Sequence, residues 1–284
     1  MTPTKGLIEI DHFGLEYISD GSATQAVADV SLSVRPGEFV SILGPSGCGK
    51  STLLNAVAGF LKPTRGRVRV DGEEIRAPGA DRGMVFQQYS LFPWKTVRQN
   101  VEFGLKMKGI GADQRERMAR TLLALAGLIG FEDHYPDRLS GGMKQRVGIV
   151  RALATGPKVL LLDEPFGALD AQTRVIMQQI LTNIWQRLRI SVLFVTHDID
   201  EAIFLSDRVH VMTARPGRVK AEVAIPLPRP RDPECMLGAE FLALRRELAG
   251  LIREESLHAM GGELAGGMRG IDVMLGDGSL VEML

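Results

Sequence analysis

The feature that most constrains the fold of this chain is a glycine-rich loop between an apolar segment and a helix-like segment. The apolar segment is Glu38–Leu43, the loop is Gly44–Gly49, and the helix-like stretch is Lys50–Ala58. Together they fit the pattern G-x-x-x-x-G-K-[ST] in the strand–loop–helix context that this pattern requires. Such a loop curls so that successive backbone N–H groups face phosphate oxygens at the positive end of a helix dipole. The sequence therefore predicts a phosphate-binding loop, in preference to a chance glycine-rich turn.

Two residues at the end of this loop have chemistry of their own. Lys50 is placed to bridge the β- and γ-phosphates of a nucleotide, and the Ser51 hydroxyl to bind Mg²⁺. The loop is thus expected to hold a nucleoside triphosphate with its metal ion.

The rest of the chain alternates between strand-like and helix-like segments. Strand-like patterns occupy Leu7–Glu16, Ala28–Val34, Arg67–Gly72, Val159–Leu162 and Val192–Val195, and helical spacing extends from about Ser90 to Leu153. Strands that alternate with helices favour a parallel sheet. The sequence predicts an α/β fold whose parallel sheet is interrupted by an all-helical insertion, with an edge hairpin near Arg67–Gly72.

Composition excludes several classes of protein. Lysine and arginine number 34 and aspartate and glutamate 34, so the net charge of zero gives no support to a general attraction for nucleic acid or acidic lipid. We find no apolar run of the length that a membrane-spanning helix needs, and the N-terminus lacks the apolar region of a signal peptide. Two cysteines, Cys48 and Cys235, form no disulfide framework. We expect a cytosolic, reduced protein.

A pair of carboxylates follows the apolar strand that begins at Val159. Asp163 at the end of this strand is expected to help hold Mg²⁺, because a phosphate loop needs an acidic residue on a neighbouring strand. Glu164 is then free to orient and deprotonate an attacking water. A solvated acidic turn is the plainer alternative for an isolated pair.

A second glycine-containing turn precedes another predicted helix. The segment Leu139–Gln145 places Ser140 and two glycines before a helix with an apolar face. A helix N-terminus with a hydroxyl and exposed amides is a second possible anion site. Taken alone, Ser140 would be a simple N-cap; beside the phosphate loop and the paired carboxylates it indicates a second phosphate-recognition element.

In this combination the chain resembles the ATP-binding-cassette (ABC) ATPases over roughly residues 7 to 220. The matching motifs are the Walker A loop Gly44–Ser51, the Q-loop residue Gln87, the signature Leu139–Gln145, the Walker B strand Leu160–Glu164, the D-loop Ala168–Asp170 and the switch segment Thr196–Asp198. The resemblance implies a P-loop NTPase (RecA-like) core, an N-terminal antiparallel β-subdomain and an inserted α-helical subdomain at approximately 89–155.

The resemblance also implies ATP and Mg²⁺ and gives roles to individual residues. Those expected to bind ATP are Tyr17, Gly44, Pro45, Ser46, Gly47, Cys48, Gly49, Lys50, Ser51 and Thr52. The expected catalytic residues are Glu164, His197 and Gln87, and the expected metal ligands are Ser51, Gln87 and Asp163. Tyr17 is the preferred aromatic for stacking on adenine, with Phe13 as the competitor.

In this family two cassettes pack head to tail, so that each nucleotide lies between two chains. Ser140, Gly141 and Gly142 are accordingly expected to act on ATP bound by the other subunit, and Asp170 belongs to the D-loop. One copy of each motif implies a second ATPase subunit, either an identical chain or a partner cassette.

Further segments are similar to importer subunits for nitrate, sulfonate and taurine. They include Phe92–Val97, Val195–Ala202, Thr213–Gly217 and the proline-rich stretch Pro226–Pro233, and Met143 replaces the more frequent glutamine of the signature. The resemblance implies a transmembrane permease, an extracytoplasmic solute-binding protein that acts indirectly, no nucleic acid, and a peripheral position on the cytoplasmic face of the inner membrane. The solute stays open among nitrate, alkyl sulfonates, taurine and heterocycle precursors.

The segment Tyr89–Trp94 is expected to help form a groove for a permease helix, because its aromatic residues directly follow Gln87. Core packing between two lobes is the alternative. We divide the chain into an ATPase domain at 1–225, a proline-rich linker at 226–239, and a C-terminal helix with a glycine-rich tail at 240–284.

Two other classes of protein compete with the importer. An ABC ATPase acting on nucleic acid usually has two cassettes or a long coiled-coil insertion, and the neutral charge disfavours such a partner. A small-molecule kinase would have no need of the signature Leu139–Gln145.

Overall fold

The computed structural model of the chain describes residues 5–19 and 22–275. The strands in this part are β1 (Ile8–Ser19), β2 (Ser22–Val34), β3 (Phe39–Leu43), β4 (Arg65–Val70), β5 (Glu73–Glu74), β6 (Arg82–Val85), β7 (Val159–Asp163), β8 (Ser191–Thr196), β9 (Arg208–Met212) and β10 (Gly217–Ala224). The helices are α1 (Lys50–Ala58), α2 (Val97–Met107), α3 (Ala112–Leu125), α4 (Gly141–Ala154), α5 (Ala171–Leu188), α6 (Ile199–Leu205) and α7 (Ala239–Leu275). Among these helices, none combines the length and the apolar character that crossing a bilayer requires.

The strands form one sheet in the order β5-β4-β1-β2-β10-β9-β3-β8-β7-β6. Strands β9, β3, β8, β7 and β6 pair in parallel, whereas β1, β2, β4 and β5 pair antiparallel. Strand β10 joins the two parts, since it is antiparallel to β9 and parallel to β2. The α/β fold with a parallel core, an antiparallel N-terminal part and an edge hairpin is confirmed.

The parallel strands form a buried core because both of their faces are covered. Every residue of β3 and of β8 is buried, as are the first four of β7. Continuous apolar runs of this kind are typical of parallel strands with helices on both sides. Parallel strands also bring their carboxyl ends to one edge of the sheet, where the loops after β3, β7 and β8 begin.

The predicted helical insertion is confirmed between β6 and β7. Helices α2, α3 and α4 pack on one another around a separate apolar cluster that includes Val101, Leu105, Leu123 and Val147. Helix α2 begins with a capping box, in which Thr96 and Gln99 each accept a hydrogen bond from the other's backbone N–H. The insertion is therefore a compact unit with its own core and a defined start.

The proline-rich stretch is packed against the ATPase core. Leu227 belongs to the apolar cluster around β3 and β8, and the Arg229 guanidinium lies 4.4 Å from the centre of the Trp185 ring. Arg231 is buried and donates hydrogen bonds to the backbone carbonyls of Ile203, Phe204, Ser206, Ile225 and Leu227. Burial lowers the pKa of Arg231 to about 10. These bonds fasten the end of α6 to the segment that was expected to be a linker.

Helix α7 also joins the main core. Phe241 and Leu248 on its inner face are buried in the same apolar cluster as Leu227. The helix continues to Leu275, into residues expected to form a glycine-rich tail, and residues 276–284 of that tail lie outside the described residues. The domain boundaries at 225 and 239 stay a prediction, although residues on both sides of them share one core.

Candidate nucleotide site

The phosphate loop, residues 44–51, connects the end of β3 to the start of α1. Gly49 is the N-cap of α1 with a φ of 97°, a backbone conformation that glycine adopts without steric cost. A Cβ at this position would lie 2.6 Å from Cγ2 of Val27 and 2.9 Å from the carbonyl oxygen of Ala26. The close approach of β2 therefore requires glycine here, and it lets the loop bend over the N-terminus of α1.

The Lys50 ammonium is buried inside the phosphate loop. Its Nζ donates hydrogen bonds of 2.8 Å to the carbonyl oxygens of Gly44 and Pro45 and lies 3.8 Å from Sγ of Cys48. Burial raises the pKa of the Cys48 thiol, so this neighbour stays neutral and offers no competing anion. The loop thus holds a single fixed cation, as a polyphosphate ligand needs.

Ser51 and Asp163 meet across the edge of the sheet. The Ser51 hydroxyl donates a 2.9 Å hydrogen bond to Oδ1 of Asp163. Burial raises the pKa of Asp163, and the hydrogen bond from Ser51 opposes that shift. A hydroxyl and a carboxylate side by side are hard oxygen ligands of the kind that Mg²⁺ prefers. The two residues fit the predicted metal site.

The three predicted catalytic residues converge on one carboxylate. Oε2 of Glu164 lies 3.1 Å from Nδ1 of His197 and 3.4 Å from Nε2 of Gln87. Glu164 has a φ of 42°, and its N–H donates to the carbonyl of Val195. A left-handed conformation at a non-glycine residue costs about 1 kcal/mol or more, and such strain clusters at functional sites. The strained turn directs the carboxylate to the Gln87 and His197 side chains.

Nine of the fourteen residues predicted to bind ATP, to catalyse hydrolysis or to hold the metal ion border a single cleft of about 270 Å³. Its lining is Tyr17, Ala26, Ser46, Gly47, Gly49, Lys50, Ser51, Thr52, Gln87, Glu164 and Arg215. Tyr17 is 45% exposed, and its hydroxyl lies 3.3 Å from Oγ1 of Thr52. The competing aromatic, Phe13, is fully buried in the core and has no face available to a base. The geometry favours Tyr17 as the stacking residue.

The signature and D-loop residues do not border this cleft. Ser140 is the exposed N-cap of α4 and accepts a 3.3 Å hydrogen bond from the N–H of Met143, with Gly141 and Gly142 as the first residues of the helix. Asp170 is the N-cap of α5, and its hydrogen bonds from Thr173 lower its pKa. The capping side chains Ser140 and Asp170 are exposed on the surface of the single chain, whereas Gly141 is half-buried and Gly142 is buried.

Sequence reasoning missed two charged residues near the site, Glu201 and Arg215. Glu201 is buried one helical turn after His197, accepts a 2.7 Å hydrogen bond from Thr196 and lies 3.7 Å from Nε of Arg174. Arg215 reaches the phosphate loop from the turn between β9 and β10. Both lie in segments that mark the importer branch, but only the fold shows that Arg215 lines the nucleotide cleft and that Glu201 is buried beside Thr196.

We expect Glu201 to make stability depend on pH. Burial raises its pKa from 4.5 to about 7, so the folded chain keeps a proton that the unfolded chain releases. The contribution of Glu201 to stability is therefore lost as pH rises from about 4.5 to 7, by at most roughly 3 kcal/mol. Glu201→Gln should raise the melting temperature more at pH 8 than at pH 5. The exposed Glu240→Gln is the control, and equal shifts at both pH values would contradict the assignment.

Comparison with known proteins gives consistent matches. A family model described as ABC transporter matches residues 27–167. An uncharacterised ABC transporter ATP-binding protein of Methanocaldococcus jannaschii is 52% identical over 253 residues, covering 89% of this chain and 94% of that protein. The nitrate import ATP-binding protein NrtD of Synechocystis is 48% identical, with coverage of 87% and 95%. The taurine import ATP-binding protein TauB of Burkholderia pseudomallei is 51% identical, with coverage of 75% and 82%.

Among solved structures, similar chains include the dimeric post-hydrolysis state of the ATP-binding cassette MJ0796 bound to ADP and Pi. Its TM-score is 0.69 at 35% sequence identity, and the match covers 78% of this chain and 100% of that one. A second dimeric structure of the same cassette has a TM-score of 0.70.

Proposed function

The chain belongs to the ABC transporter ATP-binding family, and we propose that it powers the uptake of a small anionic or organic solute through a partner permease. The observation that supports this most strongly is the convergence of Lys50, Ser51, Gln87 and Glu164 on one cleft. His197 contacts the same Glu164 carboxylate. One bound nucleotide would therefore be within reach of a cation that binds its phosphates, of oxygen ligands that hold a metal ion, and of a base that activates water.

The geometry suggests how this site hydrolyses ATP. The Lys50 ammonium and the backbone N–H groups at the start of α1 would bind the phosphate chain. Glu164 would orient the attacking water and accept its proton, while an N–H of the His197 ring would stabilise charge on the γ-phosphate. Ser51 and Asp163, with Gln87, would hold Mg²⁺, which when bound neutralises phosphate charge.

The second half of the site would come from another ATPase subunit. Ser140 is exposed at the N-terminus of α4, with Gly141 and Gly142 directly after it, and none of the three lines the cleft of its own chain. The N-terminus of a helix as long as α4 attracts phosphate oxygens when a phosphate group is brought against it. The similar cassette MJ0796 is dimeric with ADP and Pi. We therefore propose a homodimer in which each Ser140 faces the nucleotide of the other copy.

The permease would dock on the aromatic surface that flanks Gln87. Trp94 is 70% exposed, and its ring centre lies 5.8 Å from that of Phe92. Before Gln87, the exposed rings of Phe86 and Phe60 stack with centres 6.0 Å apart. Exposed aromatic rings with one face free are typical anchors of a protein interface. Phe92 itself packs on Phe103 of α2, a contact within the helical insertion and not between two lobes.

Replacing Trp94 should therefore weaken permease association more than ATP binding. The side chain is mostly exposed and is not among the residues that line the nucleotide cleft. We expect Trp94→Ala to lose at least about 1 kcal/mol of association free energy, about fivefold or more in affinity. Pull-down of the permease and a separate ATP titration measure the two effects. Tyr135→Ala, an exposed aromatic elsewhere on the helical insertion, is the control; equal loss of both activities in Trp94→Ala would contradict the groove.

The solute class is inferred from the relatives. NrtD and TauB are named for the import of nitrate and taurine, and neither name points to a nucleic-acid partner or a kinase. We propose that the solute is a small anionic or organic molecule of the same kind. An extracytoplasmic binding protein would deliver it to the permease, and the chain would be bound to the cytoplasmic face of the membrane.

Transport by the reconstituted complex tests this function. The permease captured by the tagged chain would be placed in liposomes with its binding protein, and uptake of labelled nitrate, taurine and an alkyl sulfonate measured with ATP. We expect uptake of one of these solutes with the parent chain and none with Glu164→Gln. ATP hydrolysis without uptake of any small solute would contradict the importer.

A further inference from the structure

The turn between β9 and β10 packs directly on the phosphate loop. We call residues 213–217 the Arg215 turn. Gly217 approaches so closely that a Cβ there would clash with the carbonyl oxygen of Cys48, and Gly44 packs on Met212 just before the turn. The Thr213 hydroxyl closes the turn by accepting from the N–H of Arg218 at 3.0 Å. The phosphate loop therefore has a rigid neighbour that is not part of any of the nucleotide motifs identified above.

Arg215 extends from this turn into the nucleotide cleft. Its Nε donates a 3.3 Å hydrogen bond to the carbonyl oxygen of Gly47, and the side chain is one of those that line the cleft. Within the described part of the chain, its two Nη groups have no hydrogen-bond partner and no carboxylate in ion-pair range. One edge of the guanidinium is thus anchored, while the N–H groups of the other edge are available to a ligand.

The C-terminal helix holds the turn in place. Oε2 of Glu255, a buried residue of α7, accepts a 2.9 Å hydrogen bond from the N–H of Ala214, the residue before Arg215. Oε1 of the same carboxylate is 2.8 Å from Nζ of Lys220 on β10. Helix α7 is therefore connected to the phosphate loop through two successive hydrogen bonds. The first joins Glu255 to Ala214, and the second joins Arg215 to Gly47.

We propose that Arg215 binds the β- and γ-phosphates of ATP as a second cation beside Lys50, and that Glu255 is its positioning residue. This inference rests on the proposed function, because it takes the cleft to be the ATP site. A guanidinium presents paired N–H donors that match phosphate oxygens, and it stays charged at any physiological pH. Anchoring through Nε lowers the cost of ordering the side chain when phosphate binds. The proposal gives the C-terminal helix a role in nucleotide affinity.

Equilibrium titration with nucleotides tests the role of Arg215. The full-length chain would be titrated with ATP, ADP and AMP in EDTA at low temperature, by competition with a fluorescent ATP analogue. We expect Arg215→Met to weaken ATP binding about 10-fold, with a clearly smaller loss for AMP, which lacks both contacted phosphates. Arg218→Met removes the same charge from the neighbouring strand and should stay within about twofold of the parent.

The outcomes separate this inference from the proposed function. Unchanged ATP affinity in Arg215→Met, with normal binding by the parent chain, would overturn the inference alone. An equal loss for ATP and AMP would place the guanidinium on the base, ribose or α-phosphate and would also overturn it. Failure of the parent chain to bind ATP would overturn the proposed function instead.

The positioning role of Glu255 is tested by a matched pair of variants at this position. Glu255→Met removes the acceptor for Ala214 and should weaken ATP binding about threefold or more, whereas Glu255→Gln keeps an oxygen acceptor and should stay near the parent value. Glu254→Met removes the second carboxylate that contacts Lys220, at 2.6 Å, and no hydrogen bond to the Arg215 turn. If Glu255→Met and Glu254→Met change ATP affinity equally, or if Glu255→Gln loses as much as Glu255→Met, the positioning role is wrong.

Discussion

Glu164→Gln is expected to lower the rate of ATP hydrolysis by at least about 100-fold while leaving ATP affinity nearly unchanged. The glutamine side chain has the same shape as the glutamate, so the contacts with Gln87 and His197, at 3.4 and 3.1 Å, are conserved in position. It cannot accept the proton of an attacking water at neutral pH. Hydrolysis therefore stops after ATP has bound and before the nucleotide can be cleaved.

The same substitution should accumulate an ATP-bound dimer. If the nucleotide lies between two chains, its hydrolysis is what releases them, and a hydrolysis-deficient variant stays closed. Gel filtration with and without ATP measures this, together with a phosphate-release assay. Glu74→Gln, an exposed carboxylate on the edge strand β5, should behave like the parent in both assays. A Glu164→Gln variant that remains monomeric with saturating ATP would contradict the two-chain site.

Lys50→Ala should reduce nucleotide affinity itself, by about 30-fold or more. The ammonium is buried within the phosphate loop, where little water screens its attraction for phosphate. Its removal also leaves the carbonyls of Gly44 and Pro45 without their donor, which loosens the loop. Titration with ATP measures the loss, and the exposed Lys62→Ala is the control for charge alone. Hydrolysis by Lys50→Ala at the parent rate would show that the phosphate loop has been misassigned.

Local pattern was enough to predict the elements that hold the phosphates. The helix predicted at Lys50–Ala58 has these bounds in the structure, and the buried strands predicted from Val159 and Val192 correspond to β7 and β8. Helix α1 lies between Gly49 and Gly59, and β7 and β8 are short apolar runs, so neighbouring residues determine the conformation of these segments. The parallel arrangement then brings Ser51 and Asp163 together, 112 residues apart in sequence.

Contacts that depend on distant segments could not be predicted in this way. Arg215 reaches Gly47 only because β10 passes between β2 and β9 in the sheet. Arg231 is buried because α6 ends where the proline-rich stretch turns, and no periodicity in Pro226–Pro233 indicates that packing. The sequence alone favoured Tyr17 over Phe13, but the reason that Phe13 is unavailable, its burial opposite Val30, depends on strand register. These contacts could be identified only from the fold, whereas the other site residues were identified from sequence motifs.

The most direct test of the account is the structure of Glu164→Gln with bound ATP and Mg²⁺. We expect two chains packed head to tail, with the Ser140 hydroxyl and the amide of Gly142 at hydrogen-bond distance, about 3 Å, from the γ-phosphate held by the phosphate loop of the other chain. If Ser140 lies far from every triphosphate in that structure, including those on neighbouring chains, the shared site is wrong and the transport mechanism built on it must be abandoned.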